Sequence, residues 1–368
     1  MSKLEKIVIS CGGTGGHFYP GLSIAREFEG QGGKALLMLS GIHAEAQMAI
    51  AASYGIEAVA LAKMPRPSGI SGLWGFLRGF LKGMKQSAQA YRAFAPNAYL
   101  SMGSFASLPT FIAAKRENLP IFLHDGNVRI GRANRKLSNH AGKLFAAYPP
   151  CNAEAVKTTV EISGMPLRPE LGGRLSKAAA AAALNELYGW KLDPTLPTVL
   201  IMGGSQGARA LNEASAGALK MLSDSRLQVI HLCGAKLYDE TCELYGELPE
   251  GAYLLPESPN MRELYSIADL AVARAGGSTI AELLHFGIFG VLSPYPYAAE
   301  DHQADNARYM ESLGAARVVP NAQVSPELLK GEFEAVLKMD KTSLEIKTTY
   351  IHGNAATYIL RQIEKEIS

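Results

Sequence analysis

Two stretches carry glycines where a chain brings its backbone against an anion: Gly12-Gly13-Thr14-Gly15-Gly16-His17 and Gly203-Gly204-Ser205-Gln206-Gly207-Ala208. Each follows a short apolar run, Lys6–Ser10 and Thr198–Met202, and each precedes a segment with helical periodicity. Strand, glycine turn and helix together aim backbone N–H groups and a helix N-terminus at a phosphate. The hydroxyls of Thr14 and Ser205 add donors. Neither turn ends in Gly-Lys-Ser/Thr, so neither is a P-loop, and the first lacks G-x-G-x-x-G spacing. Glycine used only to turn from strand to helix explains one such stretch better than two, one opening each half of the chain.

A third stretch, Arg274-Ala275-Gly276-Gly277-Ser278-Thr279-Ile280-Ala281-Glu282, also lets a ligand approach a helix N-terminus, where an anion is favoured. Glu282, one turn into that helix, can accept hydrogen bonds from a ribose diol. The alternative is a first-turn carboxylate that stabilises the helix macrodipole. His17 falls at a helix N-terminus, whose positive end favours the neutral imidazole, a competent base. The alternative is a packing histidine. Asp125 and Asn127 stand where a strand ends, the edge at which parallel sheets bind ligands. Asp301-His302-Gln303-Ala304-Asp305-Asn306 has no second histidine at ligand spacing, so it reads as hydrogen bonding and capping. No metal and no cofactor are expected.

The elements that hold these residues alternate. Strands are expected near 6–10, 35–39, 57–61, 98–101, 121–124, 143–146 and 160–163. Between them lie helices from about Tyr19, over 44–54, near 108–116 and near 132–139, with Pro20 suited to the first turn of the first. In the second half, a helix over 176–187 precedes strands at 198–202, 228–232, 252–255, 269–273 and 290–293. Helices over 208–222, 236–245, up to about 267, 279–286, 302–313 and 354–365 follow or separate them. The pattern predicts an α/β protein of two doubly wound, Rossmann-like domains facing each other across a cleft. Prolines at Gly164–Pro169 mark the hinge between domains 1–165 and 166–349. On periodicity alone the last helix fits either domain.

A length of 368 residues gives each of two domains its own core. With 48% hydrophobic and 19% charged residues the chain reads as globular, and a net charge of +2 is too mild for a nucleic-acid partner. Four cysteines without CxxC spacing and the lack of a signal peptide fit a reduced, cytoplasmic compartment. No uninterrupted apolar run is long enough to span a membrane.

Residues 65–85, PRPSGISGLWGFLRGFLKGMK, break the rhythm. Leu73, Leu77, Phe80, Leu81 and Met84 share a helical face, with Trp74 and Phe76 beside it. Arg66, Arg78, Lys82 and Lys85 add positive charge. One reading is an interfacial segment on anionic lipid. The other is a helix packing its apolar face on the sheet. The glycines weaken the helix and suggest a mobile loop.

Together, GGTGGH at 12–17, HDGN at 124–127, GMPLR at 164–168, GGSQGAR at 203–209, RAGGSTIAE at 274–282 and DHQADNA at 301–307 resemble the MurG family over nearly the whole chain. These N-acetylglucosaminyltransferases make lipid II. The resemblance implies a GT-B architecture, with the nucleotide held mainly by the C-terminal domain and the last helix (about 350–368) returning to the N-terminal one. It implies a peripheral enzyme at the cytoplasmic face of the membrane, transferring from UDP-GlcNAc to the C4 hydroxyl of the lipid I muramoyl sugar. Inversion without an obligatory metal is expected.

By position, Ser205 meets the donor phosphate, Glu282 the ribose, and Arg168 and the backbone near Ser258 the uracil. Gly277, Ser278, Thr279 and Ile280 wrap the nucleotide, and Asn127 and Gln303 hold the N-acetylglucosamine. Thr14, Gly15 and Gly16, grouped with this set, line the cleft opposite, near the acceptor pyrophosphate. His17 is the first choice of general base and Asp125 the reserve. Trp74, Leu77, Arg78, Phe80, Leu81 and Lys82 are the membrane and acceptor candidates.

The resemblance is incomplete. The family usually has His-Glu-Gln-Asn at 124–127, Gly-Gly-Tyr at 103–105 and Gly-Asn-Pro at 164–166, where this chain has His-Asp-Gly-Asn, Gly-Ser-Phe and Gly-Met-Pro. These departures fall on the acceptor side by analogy. They leave open a different lipid acceptor, and beyond it a UDP-GlcNAc 2-epimerase or a noncatalytic nucleotide-sugar binder.

Overall fold

A computed structural model of the chain describes residues 3–13, 15–65, 69–204, 207–222, 226–338 and 354–368. Thr14, Arg66, Ser205 and Gln206 lie outside the described residues. The chain divides into two compact units, one of residues 1–168 and 351–368, the other of residues 169–350.

In the first unit, β1 (Lys6–Gly12), α1 (Gly15–Gly30), β2 (Lys34–Ser40), α2 (Ala44–Ser53), β3 (Glu57–Ala60) and α3 (Gly69–Phe94) come first. Then follow β4 (Ala98–Ser101), α4 (Leu108–Arg116), β5 (Ile121–Asp125), α5 (Arg132–Leu137), β6 (Lys143–Ala146) and β7 (Thr159–Ile162). The strands form one parallel sheet in the order β3-β2-β1-β4-β5-β6-β7. Central strand β1 is apolar without alternation because both faces are covered. Ile7 and Ile9 enter the core that includes Leu22, Ile24 and Phe28 of α1, while Val8 enters the opposite core with Tyr91 of α3 and Phe111 of α4.

The second unit runs α6 (Lys177–Tyr188), β8 (Thr198–Met202), α7 (Arg209–Met221), β9 (Gln228–Leu232), α8 (Tyr238–Tyr245), β10 (Ala252–Leu255) and α9 (Met261–Ile267). It continues through β11 (Leu270–Ala273), α10 (Gly277–Phe286), β12 (Phe289–Leu292), α11 (His302–Ser312), β13 (Ala316–Val318) and α12 (Pro326–Lys338). Its parallel sheet is ordered β10-β9-β8-β11-β12-β13. The last helix, α13 (Ala355–Ile367), lays Ala356, Ile359, Leu360 and Ile363 into the α1 side of the first unit's core. Thr357 Oγ1 donates to Glu27 Oε1 at 2.5 Å, and Lys143 pairs with Glu161 at 2.7 Å and Glu366 at 2.9 Å.

Strand order reverses between β1 and β4 and again between β8 and β11, the places where doubly wound sheets open a ligand crevice. The loops leaving these four strands carry Gly12–Gly13, Gly103–Ser104, Gly203–Gly204 and Arg274–Gly276.

Three expectations are corrected. Helix α1 begins at Gly15, four residues before the expected start, so Pro20 lies inside it. The turn is complete by Gly13, whose φ of +80° suits glycine, and only one helical N–H is lost at Pro20. Strand β13 and helix α12 were not expected. Residues 69–94 form a helix, not a loop, because their glycines make a contact stripe. A Cβ on Gly79 would stand 2.5 Å from the Lys63 carbonyl oxygen, one on Gly75 3.3 Å from Pro65 Cγ, and one on Gly83 3.2 Å from Pro109 Cβ. Close approach to these neighbours offsets the roughly 1 kcal/mol of helix propensity that each glycine costs.

The opposite side of α3 does not pack on the sheet. Trp74 is 71% and Leu81 59% exposed, with Leu77, Arg78, Lys82 and Lys85 exposed on the same face. Phe80 departs from this group: it is half-buried and stacks on Phe76, which stacks in turn on Phe105 at 5.8 Å. Among the described residues no helix is long and apolar enough to cross a membrane.

Candidate active site

In the first unit the site is built where β1, β4 and β5 end. His17, in the first turn of α1, directs Nδ1 at the Met102 carbonyl at 2.8 Å. A carbonyl only accepts, so Nδ1 carries a proton, and deprotonation of the ring leaves the lone pair on Nε2. Gly103, at φ +94°, leaves room for the ring: a Cβ there would stand 3.4 Å from both His17 Cε1 and Asn134 Nδ2. Imidazole and amide therefore converge over one glycine.

Asp125 is buried at the end of β5, and its carboxylate is saturated with donors. Oδ1 accepts from Asn127 N–H at 3.1 Å, and Oδ2 from Gly131 N–H at 2.8 Å and Asn134 Nδ2 at 3.0 Å. Burial raises its pKa, and these donors together with the nearby His17 oppose the rise. The arrangement holds the 126–131 loop. Asn127 is half-buried on that loop, with both its backbone and side-chain nitrogens directed at Asp125 Oδ1. His124 is fully buried, and burial pushes its pKa down to about 4. Its Nε2 and the Oδ1 of Asn134 are buried polar atoms without a protein partner. Asn134 was missed by sequence reasoning; it sits in the polar run RANRK, which carries no glycine turn or spacing to single it out.

Gly126 and Met165 meet here. A Cβ on Gly126 would stand 2.9 Å from Met165 Cε, and Met165 is only 6% exposed. Arg168, the last residue of this unit, lies over the Tyr19 ring at 5.0 Å. Gly15 and Gly16 open α1 as its first two residues.

In the second unit the glycine turn after β8 is dictated by sterics. A Cβ on Gly203 would stand 2.4 Å from Ala208 N, and one on Gly207 2.5 Å from the Cys233 carbonyl oxygen. After β11, Gly276 caps α10, whose first turn is Gly277, Ser278, Thr279 and Ile280. Helix N-termini leave N–H groups without helical partners, and here the Ser278 hydroxyl is also buried and unpartnered. Ile280 closes this turn. Its side chain is fully buried and its N–H bonds the Gly276 carbonyl at 3.0 Å, which anchors the turn.

Glu282 is the sixth residue of α10, past the first turn, so the macrodipole does not account for it. Its Oε2 accepts from the Tyr265 hydroxyl at 2.6 Å. Asn306 of α11 donates to the Ala275 carbonyl at 3.0 Å, which ties α11 and its Gln303 to this turn. Gln303 Oε1 accepts from Tyr295 N–H at 2.9 Å, so its orientation is fixed with the amide nitrogen directed elsewhere. Ser258 Oγ accepts from Asn260 N–H at 3.0 Å and pairs with the Tyr188 hydroxyl at 2.9 Å. Arg274 Nη1 donates to Ser293 and Pro294 carbonyls, joining the ends of β11 and β12. Among the described residues, no group of three or more His, Cys, Asp or Glu side chains is placed to hold a metal ion.

Residues 7–146 match the Glycosyltransferase family 28 N-terminal domain, and residues 198–362 the Glycosyltransferase family 28 C-terminal domain. A relative from Nitrosococcus oceani is 33% identical, aligned over 89% of each chain. One from Hahella chejuensis is 32% identical over 93% of this chain and 92% of its own. Both are named UDP-N-acetylglucosamine--N-acetylmuramyl-(pentapeptide) pyrophosphoryl-undecaprenol N-acetylglucosamine transferase. Among solved structures, MurG of Acinetobacter baumannii superposes with a TM-score of 0.74 at 25% identity, covering 98% of this chain and 99% of its own. A UDP-GlcNAc 2-epimerase from Neisseria meningitidis shares the fold, with a TM-score of 0.68 at 13% identity over 98% of this chain and all of its own. The two parallel sheets are those of the GT-B architecture, and by sequence and fold together the chain belongs to glycosyltransferase family 28 and, within it, to the MurG family.

Proposed function

We propose that the chain transfers N-acetylglucosamine from UDP-GlcNAc to the C4 hydroxyl of the muramoyl sugar of lipid I, giving lipid II and UDP. The observation that carries this reading is identity of 33% over 89% of the chain to an enzyme whose name states that sugar, donor and lipid-linked acceptor. His17 Nε2, its lone pair fixed by the Nδ1 bond to Met102, removes the C4 hydroxyl proton as that oxygen attacks C1 of the donor sugar. The C1–O bond to the diphosphate breaks with its electron pair going to UDP, and the configuration at C1 inverts. The N-terminal turn of α10 and the glycine turn after β8 offer N–H donors to the departing diphosphate. Glu282 holds the ribose, the Ser258 loop and Arg168 the uracil, and Gln303 and Asn127 the amino sugar. Asp125 and Asn134 position the loop bearing Asn127.

The exposed face of α3 supports docking to an anionic membrane surface from the cytoplasmic side. Trp74, Leu77 and Leu81 enter the headgroup region while Arg78, Lys82 and Lys85 stay with the phosphates, each worth about 1 kcal/mol near such a surface. That sum gives reversible, peripheral binding.

The test is UDP release from UDP-GlcNAc, with and without a lipid I analogue, together with product mass. Release that requires the acceptor, with a product heavier by one N-acetylhexosamine, is expected. Release without acceptor, accompanied by N-acetylmannosamine, would replace this reading with epimerisation. Donor binding without release on lipid I would point to another lipid acceptor.

A further inference from the structure

We propose that Tyr265 is a positioning residue for the donor, its buried hydroxyl holding Glu282 in the orientation that meets the ribose diol. The proposal rests on the reading of Glu282 as the ribose ligand. Tyr265 lies on α9, is 1% exposed, and packs its ring against Phe286 with centroids 5.2 Å apart. A tyrosine buried so deeply needs a partner for its O–H. That partner is Glu282 Oε2 at 2.6 Å, within the short range of hydroxyl-to-carboxylate bonds.

Glutamate has three side-chain torsions, and the last is soft. The bond from a rigid, buried ring fixes where Oε2 sits, and so narrows the torsions that direct the other carboxylate oxygen. The bond also spans elements. Tyr265 rides on the helix that enters β11 and Glu282 on the helix that leaves it, so the carboxylate is fixed relative to the 274–279 turn and not to α10 alone. In this view the diol is read by a pair, one residue touching the sugar and one behind it.

The experiment measures calorimetric affinity for UDP and for 2′,3′-dideoxy-UDP in the intact chain, in Tyr265→Phe, in Glu282→Ala and in the double variant. Phenylalanine keeps the ring in the core. The wild-type chain should prefer UDP, and Tyr265→Phe should lose about tenfold in UDP affinity while binding the dideoxy compound as the wild type does. KM for UDP-GlcNAc should rise by a similar factor, with kcat at saturating donor maintained. In the Glu282→Ala background the tyrosine substitution should have no further effect on UDP. If Glu282→Ala keeps the full preference for UDP, the ribose reading itself fails. If Glu282→Ala loses the preference while Tyr265→Phe keeps it, or if Tyr265→Phe weakens both ligands equally, the positioning role is overturned and the ribose reading stands.

Discussion

Met165 and Gly126 share one space: Met165 Cε fills the position, 2.9 Å away, that a side chain on Gly126 would need. A larger residue at 126 therefore competes with Met165 for the same volume. Gly126→Gln alone should cost about 1–3 kcal/mol by overpacking. Met165→Asn alone should cost a similar amount by opening a cavity and burying an amide. Combined, the losses should fall short of their sum by about 1 kcal/mol or more, read as denaturant midpoints. Strict additivity would show that the two side chains do not answer to each other.

The Nδ1 bond from His17 to the Met102 carbonyl assigns Nε2 as the basic atom. His17→Ala should leave UDP-GlcNAc affinity within twofold, or about 0.4 kcal/mol, while turnover on a lipid I analogue drops about 10²–10⁴-fold. Turnover near that of the unaltered chain would remove His17 from the chemistry.

Arg78 and Lys82 flank the exposed Trp74, Leu77 and Leu81 on α3. Arg78→Glu/Lys82→Glu should reduce sedimentation with phosphatidylglycerol vesicles, most at low salt, and leave activity on a water-soluble acceptor analogue in place. Equal binding of both proteins to these vesicles would argue that α3 does not face lipid.

Two buried histidines make stability depend on pH. His231 donates Nε2–H to Asn212 Oδ1 at 3.1 Å and accepts at Nδ1 from the Tyr245 hydroxyl at 2.8 Å, and burial lowers its pKa to about 3. Burial likewise lowers that of His124 to about 4. In the unfolded chain both return to an ordinary value of about 6.5. Between those limits the unfolded state binds more protons, so stability is full above about pH 6.5 and falls as the pH drops, by about 1.4 kcal/mol per pH unit for each histidine. Urea midpoints across this window should show the fall, and His231→Asn should flatten part of it. A flat profile would contradict the neutral, buried state of both rings.

Much of the architecture is legible from sequence because the central β-strands are short apolar runs closed by glycine or a polar turn. Gly203 and Gly207 are the clearest instances, since any side chain there collides with backbone. What escaped reading depends on partners distant in sequence. Gly75, Gly79 and Gly83 look like helix breakers until Lys63, Pro65 and Pro109 are seen against them. Strand β13 has only three residues and lies at the sheet edge, too short to make a pattern. Within the candidate site, His17, Asp125 and Glu282 are conspicuous because they adjoin strand ends or glycine turns. Asn134 and Tyr265 come from helices of ordinary composition, and only the three-dimensional bonds to Asp125 and Glu282 single them out.

The return of α13 to the first unit has a consequence for how the protein is made. The apolar side of α1 that Ile359, Leu360 and Ile363 cover is translated before the second unit, but its cover only after it. At cellular elongation rates of about 5–20 residues per second, the intervening second unit keeps that surface waiting for roughly 10–40 s. The unit begun first on the ribosome is thus the last to be completed. A ribosome that stalls anywhere in the second half releases a nascent chain with an unfinished second unit and a first unit whose greasy flank is still bare, a substrate for holdase chaperones and for quality-control proteases.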